Sequence, residues 1–128
     1  DLANIHTKLL TLVEISGGFI SGIFYCPHSP SAGCNCRKPK TGLLKRAEAE
    51  LKISLRGKFF IGDSMKDMKA AEAFKMRPIL VRTGKGGRTE TELCGALHGT
   101  IPIFDDLSAA TKWIISSESN MRALEAPN

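Results

Sequence analysis

The spacing of apolar residues alternates along the chain between a helical and a strand-like period. Residues 2–13 carry apolar side chains three and four positions apart, which predicts an amphipathic helix that ends at Gly17 and Gly18. Residues 19–25, FISGIFY, are rich in aromatic and β-branched side chains and predict a strand. The Pro- and Gly-bearing stretch 26–42 then predicts a loop.

The same alternation continues to the end of the chain. We expect helices at 43–52, 65–75, 89–97 and from near Asp105 through Trp113, strands at 58–62, 78–82 and 100–104, a glycine-rich loop at 83–87 and a frayed tail at 117–128. Strands that alternate with helices predict a Rossmann-like parallel sheet with helices on both faces, the α/β class. Because the chain opens within a helix, we interpret residues 1–116 as part of one domain that is incomplete at its N-terminus.

The amino-acid composition is typical of a soluble globular protein. The 128 residues are 42% hydrophobic and 24% charged, and no apolar run approaches the roughly 20 residues of a membrane-spanning helix. The first residues lack the basic start and apolar core of a signal peptide, so we expect a cytoplasmic location. The net charge of +5 is spread along the chain and suits anionic ligands, without distinguishing phosphates from nucleic acids.

The predicted loop contains four candidate metal ligands within residues 26–36: Cys26, His28, Cys34 and Cys36. Three thiolates and one imidazole are the ligands that zinc prefers, and four protein ligands leave no open position, so we predict a structural zinc site. The alternative is a set of reduced thiols without metal. We expect the remaining cysteine, Cys94, to be a small buried hydrophobe in a helix.

A basic pair, Arg37 and Lys38, directly follows the last of these ligands. A loop pinned by a metal would hold both side chains in place, and together they offer a forked donor and a point charge to phosphate oxygens. The alternative is a pair of solvated surface charges.

An acidic turn follows the predicted strand at 58–62. Asp63 stands just past the carboxyl end of that strand, where open α/β sheets bind ligands, and Asp67 lies in the first turn of the next helix. The pair predicts a Mg²⁺ site with Asp63 as ligand. For Asp67, helix capping or support of Asp63 is as well founded as metal binding. The loop at 83–89 fails the spacing of known phosphate-binding loops, and we expect an ordinary surface loop. The alternative is a contact of Lys85 and Arg88 with a substrate.

Three segments, CPHSPSAGCNCRKPKTG, FFIGDSMKDMKAAEA and ILVRTGKGG, together resemble a known family. They are similar to the haloacid-dehalogenase-type phosphatases that hydrolyse D-glycero-D-manno-heptose 1,7-bisphosphate, and the resemblance runs from about residue 1 to residue 115. The histidinol-phosphate phosphatases also resemble the chain and are the alternative within the same fold.

The resemblance implies a role for each candidate residue. The cysteines and the histidine would hold structural zinc, and Asp63 would bind catalytic Mg²⁺. Arg37 would recognise the substrate, Lys38 would stabilise the transferring phosphoryl group, and Ser64 would contact metal or substrate. The implied enzyme removes the 7-phosphate through an aspartyl-phosphate intermediate, in lipopolysaccharide or surface-glycan precursor synthesis. It would be a cytoplasmic monomer with a phosphorylated sugar as its partner, and without nucleic acid or membrane partners.

The chain departs from this family in one respect. The family's nucleophile and general acid stand in an Asp-x-Asp pair, and no two aspartates of this chain have that spacing. We therefore expect the chain alone to be inactive. A different class of function, a zinc-stapled basic module that binds RNA or a protein, would explain the cluster and the charge but not the acidic turn.

Overall fold

The computed structural model describes residues 1–29, 33–94 and 100–125, with side chains described as far as residue 119. These residues form two compact units, Asp1–Ser54 and Leu55–Asn128. The first unit contains the helices α1 (Leu2–Ile15) and α2 (Gly42–Leu51). The second contains, in chain order, β1 (Phe59–Gly62), α3 (Met65–Ala73), β2 (Arg77–Val81), α4 (Gly86–Cys94), β3 (Ile103–Phe104) and α5 (Leu107–Glu125).

The second unit is built on a parallel sheet in the order β1-β2-β3. Phe59 of β1 pairs with Arg77 of β2, and Leu80 of β2 pairs with Ile103 of β3. A helix connects each strand to the next, as parallel pairing requires. The predicted α/β class is confirmed.

Helices cover both faces of this sheet because alternate residues of β2 point to opposite sides. On one face Leu80 packs with Met68 of α3 and Leu93 of α4. On the other face Ile79 and Val81 pack with residues of α5, including Ala110 and Trp113. The Trp113 ring also meets the rings of Phe59 and Phe104 at centroid distances of 5.7 and 5.4 Å.

In the first unit, α1 carries a stripe of aliphatic side chains that the unit does not bury. The Asp1 side chain accepts a hydrogen bond from the backbone N of Asn4 and caps the start of the helix. The helix ends at Ile15, two residues before the predicted stop at Gly17 and Gly18. No α1 side chain is buried. The stripe is 45–77% exposed and consists of Leu2, Ile5, Leu9, Leu12 and Ile15.

Two predicted elements are wrong or shortened. Residues 19–25 form no strand, because a strand needs a hydrogen-bonded neighbour and none of the described residues pairs with this segment. The strand expected at 100–104 is reduced to Ile103–Phe104. β-propensity measures how well a side chain packs on a pleated sheet. Whether a segment joins a sheet depends on pairing with a distant strand, which local composition does not reveal.

Two helices extend beyond one of their predicted ends. α4 begins at Gly86, inside the expected loop, and the predicted end of that helix at 95–97 lies outside the described residues. α5 continues to Glu125, so residues 117–125 are helical instead of frayed. Residues 116–125 contain no Gly or Pro, and Glu, Met, Arg, Ala and Leu favour helix. The division into a domain at 1–116 and a tail at 117–128 stays a prediction. None of the described helices has both the length and the apolar character needed to cross a bilayer.

The central position of Leu80 gives a stability prediction. Leu80 is fully buried between α3 and α4, so Leu80→Ala should lower the free energy of unfolding by about 2–5 kcal/mol. Leu107→Ala is the matched control, because Leu107 is 59% exposed and its truncation should cost less than about 0.5 kcal/mol. Urea denaturation measures both values, and equal costs would contradict the assignment of the core.

Candidate functional site

The four predicted zinc ligands converge in the first unit. The Sγ of Cys36 lies 2.9 Å from that of Cys26 and 3.2 Å from that of Cys34, and the other two sulfurs are 3.4 Å apart. The Nδ1 of His28 is 3.3 Å from Cys36 Sγ and 3.5 Å from Cys26 Sγ. All four ligand atoms lie within 4.8 Å of one another, and the cysteines are free thiols.

The cluster loop closes onto the start of α2. The backbone N of Gly42 donates to the carbonyl O of Asn35 at 2.9 Å, and a Cβ at Gly42 would overlap that carbonyl. Two cations brace the loop: Lys40 Nζ donates to the carbonyl O of Cys34 at 3.1 Å, and Arg37 donates to that of His28 at 3.3 Å. The loop is therefore held by its own backbone carbonyls as well as by its ligand side chains.

The thiols of the cluster perturb one another's ionisation. The hydrogen bond from Cys36 lowers the pKa of Cys34 to about 6, while the bond that Cys36 shares with Cys26 raises the pKa of Cys36 to about 12. Three adjacent thiolates repel one another unless a cation lies among them. Cys26, His28, Cys34 and Cys36 would hold a zinc ion, whose positive charge would offset the repulsion among the thiolates. The donor set and its geometry therefore fit a zinc ion.

The basic pair after the cluster is exposed. Arg37 and Lys38 both lie at the surface, and the Arg37 guanidinium folds back onto the loop through its bond to His28. Their predicted contact with phosphate stays a prediction. Lys40 was not singled out in the sequence, although its bond to Cys34 makes it part of the same loop.

The acidic turn lies in the second unit and contains a complete capping box. The buried carboxylate of Asp67 accepts hydrogen bonds from the backbone N of Asp63 at 3.1 Å and of Ser64 at 3.2 Å. The Ser64 hydroxyl accepts in return from the backbone N of Asp67, also at 3.2 Å. Asp67 and Ser64 therefore cap α3, one of the two alternatives that the sequence left open for Asp67. The predicted metal or substrate contacts of both residues stay predictions.

Asp63 itself is held by residues of the loop and helix that follow β2. Its Oδ2 accepts from the backbone N of Lys85 at 2.9 Å, and its carbonyl O accepts from Thr89 Oγ1 at 2.8 Å. Gly84 has φ +57°, and a Cβ there would overlap Asp63 Oδ2. The segment at 83–89, predicted to be an ordinary surface loop, is thus part of the candidate site.

The geometry around Asp63 suits a hard cation. A half-buried carboxylate stands at the carboxyl end of a parallel strand, where this class of sheet binds ligands. No described residue contributes a soft ligand to this turn, and carboxylate oxygen with water is the coordination that Mg²⁺ prefers. The residues present therefore fit a magnesium ion held by Asp63.

An ion network supports the same end of the sheet. Arg82, directly after β2, binds both carboxylate oxygens of Glu90 at 2.9 and 3.1 Å and Asp105 Oδ1 at 2.8 Å. These bonds raise the pKa of Arg82 and lower that of Glu90. The network ties α4 to the ends of β2 and β3. The sequence contained one signal for it, because a charged residue follows each strand: Asp63, Arg82 and Asp105.

Comparison with known proteins identifies similar chains. A family model described as HAD-hydrolase-like matches residues 35–110. The chain is 45% identical over 114 residues to D-glycero-beta-D-manno-heptose-1,7-bisphosphate 7-phosphatase of Pseudomonas putida, covering 89% of this chain and 63% of that protein. It is 33% identical over 123 residues to the protein of the same name from Neisseria meningitidis, covering 96% and 66%.

A solved structure agrees with these matches. The crystal structure of D,D-heptose 1,7-bisphosphate phosphatase from B. bronchiseptica, complexed with magnesium and phosphate, superposes with a TM-score of 0.81. The two chains share 34% sequence identity over 91% of this chain and 64% of that one. The chain thus spans about two thirds of the length of the relatives it matches.

Gly84 and Gly87 provide a matched test of the contact between the loop and Asp63. Gly84→Ala should lower the free energy of unfolding by at least about 1 kcal/mol, because Ala disfavours positive φ and its Cβ would displace Asp63 Oδ2. Gly87→Ala should raise it by about 0.5–1 kcal/mol, because Gly87 is helical and its Cβ meets nothing within 4 Å. Chemical denaturation measures both, and the same sign for the two variants would contradict the described loop.

Proposed function

The chain belongs to the HAD-hydrolase-like family, and from that membership we propose that it is the C-terminal part of a Mg²⁺-dependent sugar-phosphate phosphatase. The proposed substrate is D-glycero-D-manno-heptose 1,7-bisphosphate, which would lose its 7-phosphate. The names of the matched relatives support this substrate, and the magnesium and phosphate in the B. bronchiseptica structure support the cofactor and the ligand class.

The observation that carries the proposal is the position of Asp63. Its carboxylate stands at the carboxyl end of β1 with one oxygen bonded to the Lys85 amide, a fixed oxygen ligand at the edge where such sheets bind their substrates. Magnesium there would neutralise charge on the transferring phosphoryl group. Phosphoryl transfer depends mainly on such positioning and charge stabilisation.

The remaining residues receive their roles from the same resemblance. We propose that Arg37 recognises the substrate, that Lys38 stabilises the phosphoryl group, and that Ser64 contacts metal or substrate, while Asp67 holds the turn that carries Asp63. The attacking carboxylate would come from an Asp-x-Asp pair, which this chain lacks. It would form an aspartyl-phosphate that water then hydrolyses. The chain alone is therefore expected to be inactive.

The zinc site is proposed as a structural element of the same protein. Four converging ligands leave no open coordination position, and none of the loop residues that the structure describes has a buried apolar side chain that would hold the loop otherwise. The resemblance also implies a cytoplasmic, monomeric enzyme of lipopolysaccharide or surface-glycan precursor synthesis. Histidinol phosphate is the alternative substrate.

Activity is tested with a hybrid protein. The part of the Pseudomonas putida relative that lies outside the 114-residue match is joined to this chain. The hybrid should release phosphate from heptose bisphosphate in the presence of Mg²⁺, and the unjoined chain should not. Asp63→Asn should lower kcat/KM roughly 100-fold or more, because it weakens the charge stabilisation at the reacting phosphate.

Asp106→Asn is the control for this assay. Asp106 caps α5 by accepting from the backbone N of Ala109 at 2.8 Å, and asparagine caps equally well, so activity should not change. Equal activity of Asp63→Asn and Asp106→Asn would contradict the role of Asp63. A preference of the hybrid for histidinol phosphate would show that the proposed substrate is wrong. Turnover by the unjoined chain would contradict the inference that this chain lacks the nucleophile.

Metal content tests the zinc proposal. Elemental analysis of the reduced, unchelated chain should find one zinc per chain, and Cys36→Ser should remove it because one of four ligands is lost. Cys94→Ser should leave the zinc in place, since Cys94 is exposed and outside the cluster. Metal-free protein with an unchanged melting temperature after chelation would argue against a structural zinc.

A further inference from the structure

We propose that Thr89 is a positioning residue that orients Asp63 toward a divalent cation. The inference rests on the proposed function, because it takes Asp63 to be the magnesium ligand. It assigns the α4 helix a part in the metal site that neither the sequence motifs nor the names of the relatives supply.

Burial singles Thr89 out. Among the described residues only two polar or charged side chains are buried, Asp67 at 4% exposure and Thr89 at 3%. Both of them bond to the backbone of Asp63. Asp67 Oδ2 accepts from its N at 3.1 Å, and Thr89 Oγ1 donates to its carbonyl O at 2.8 Å. The buried polar groups of this part of the chain are therefore both used to hold one residue.

The three contacts together fix the direction of the carboxylate. With its N and O held by buried side chains, Asp63 has a restrained backbone, and the Lys85 amide then takes Oδ2 at 2.9 Å. None of the described residues bonds to Oδ1. A carboxylate with one oxygen engaged by the protein offers the other to a cation in one orientation, and this preorganisation favours binding.

The hydroxyl of Thr89 also has a competing partner just before the start of its own helix. Oγ1 lies 3.1 Å from the carbonyl O of Lys85, one turn earlier, as helical threonines commonly do. A hydroxyl has a single proton, and the shorter contact goes to Asp63. The bidentate bond between Arg82 and Glu90 meanwhile anchors α4 beside Thr89, so the donor is presented from a fixed helix.

The test uses this chain with Mn²⁺ as a paramagnetic probe in place of Mg²⁺. In ¹H–¹⁵N spectra, bound Mn²⁺ should broaden the amide signals of Ser64 and Lys85, which flank Asp63. Thr89→Val keeps the shape but loses the donor, and should require roughly tenfold more Mn²⁺ for the same broadening, as the loss of a partner behind a metal ligand usually does. Thr89→Ser retains the hydroxyl and should behave as the parent chain does.

Two control variants separate positioning from general loosening of α4. Thr91→Val removes a hydroxyl that bonds only within the helix, to the carbonyl O of Gly87, and should leave the Mn²⁺ response unchanged. Leu93→Ala weakens the packing of α4 without touching Asp63. If Leu93→Ala shifts the response as far as Thr89→Val does, the positioning role is wrong. If Thr89→Val does not fold, Thr89→Ala replaces it in the same measurement, with the same expected shift in the Mn²⁺ requirement.

Asp63→Asn distinguishes failure of this inference from failure of the proposed function. Broadening that survives Asp63→Asn would show that Asp63 does not hold the cation, and the proposed magnesium site would fall. A second outcome would overturn the role of Thr89 alone. In that case Asp63→Asn abolishes the broadening, but Thr89→Val broadens at the same Mn²⁺ concentration as the parent chain. Loss in both, with Thr89→Ser intact, would support the inference.

Discussion

The turn at the carboxyl end of β1 depends on the buried carboxylate of Asp67. Two backbone N–H groups, those of Asp63 and Ser64, donate to that carboxylate and offset part of the cost of burying it. A Cβ at Gly62 would overlap the Asp67 side chain, so the strand must end in glycine for the carboxylate to reach its donors. The strand end and the helix start depend on this buried carboxylate, which also holds the backbone N of Asp63.

The two candidate sites answer the same electrostatic problem in different ways. In the second unit, the two carboxylates four residues apart have different surroundings. Backbone N–H groups at the helix N-terminus donate to Asp67, while Asp63 is half-buried. In the first unit, three sulfurs lie within 3.4 Å of one another. Backbone hydrogen bonds from Cys36 and Arg37 reach one of them, Cys34, and help to lower its pKa. There the thiols share protons, or a cation takes the protons' place.

The sequence predicted those features whose causes are local. The helix at α1, the strand–turn–helix around Asp63 and the four ligands of the cluster each depend on neighbours within a few turns of chain. The bonds from Lys85 and Thr89 to Asp63 span 22 and 26 residues, and no local pattern marks them. The strand predicted at 19–25 is wrong because strand formation also depends on a distant partner. The composition of the segment suits a sheet, but no described strand pairs with it. Cys94 is exposed, contrary to prediction, because its neighbour Leu93 takes the inward side of α4.

The exposed aliphatic stripe on α1 has a thermodynamic consequence for the first unit. An isolated helix of 14 residues is marginally stable in water, and in the described structure no buried side chain of α1 adds packing energy to it. A molecule that binds the folded helix and not the unfolded segment stabilises the helix. At concentrations well above its dissociation constant, the gain in free energy grows with the logarithm of that molecule's concentration. A detergent or an apolar polypeptide that covered the stripe would therefore stabilise the folded helix in the same way as a ligand does.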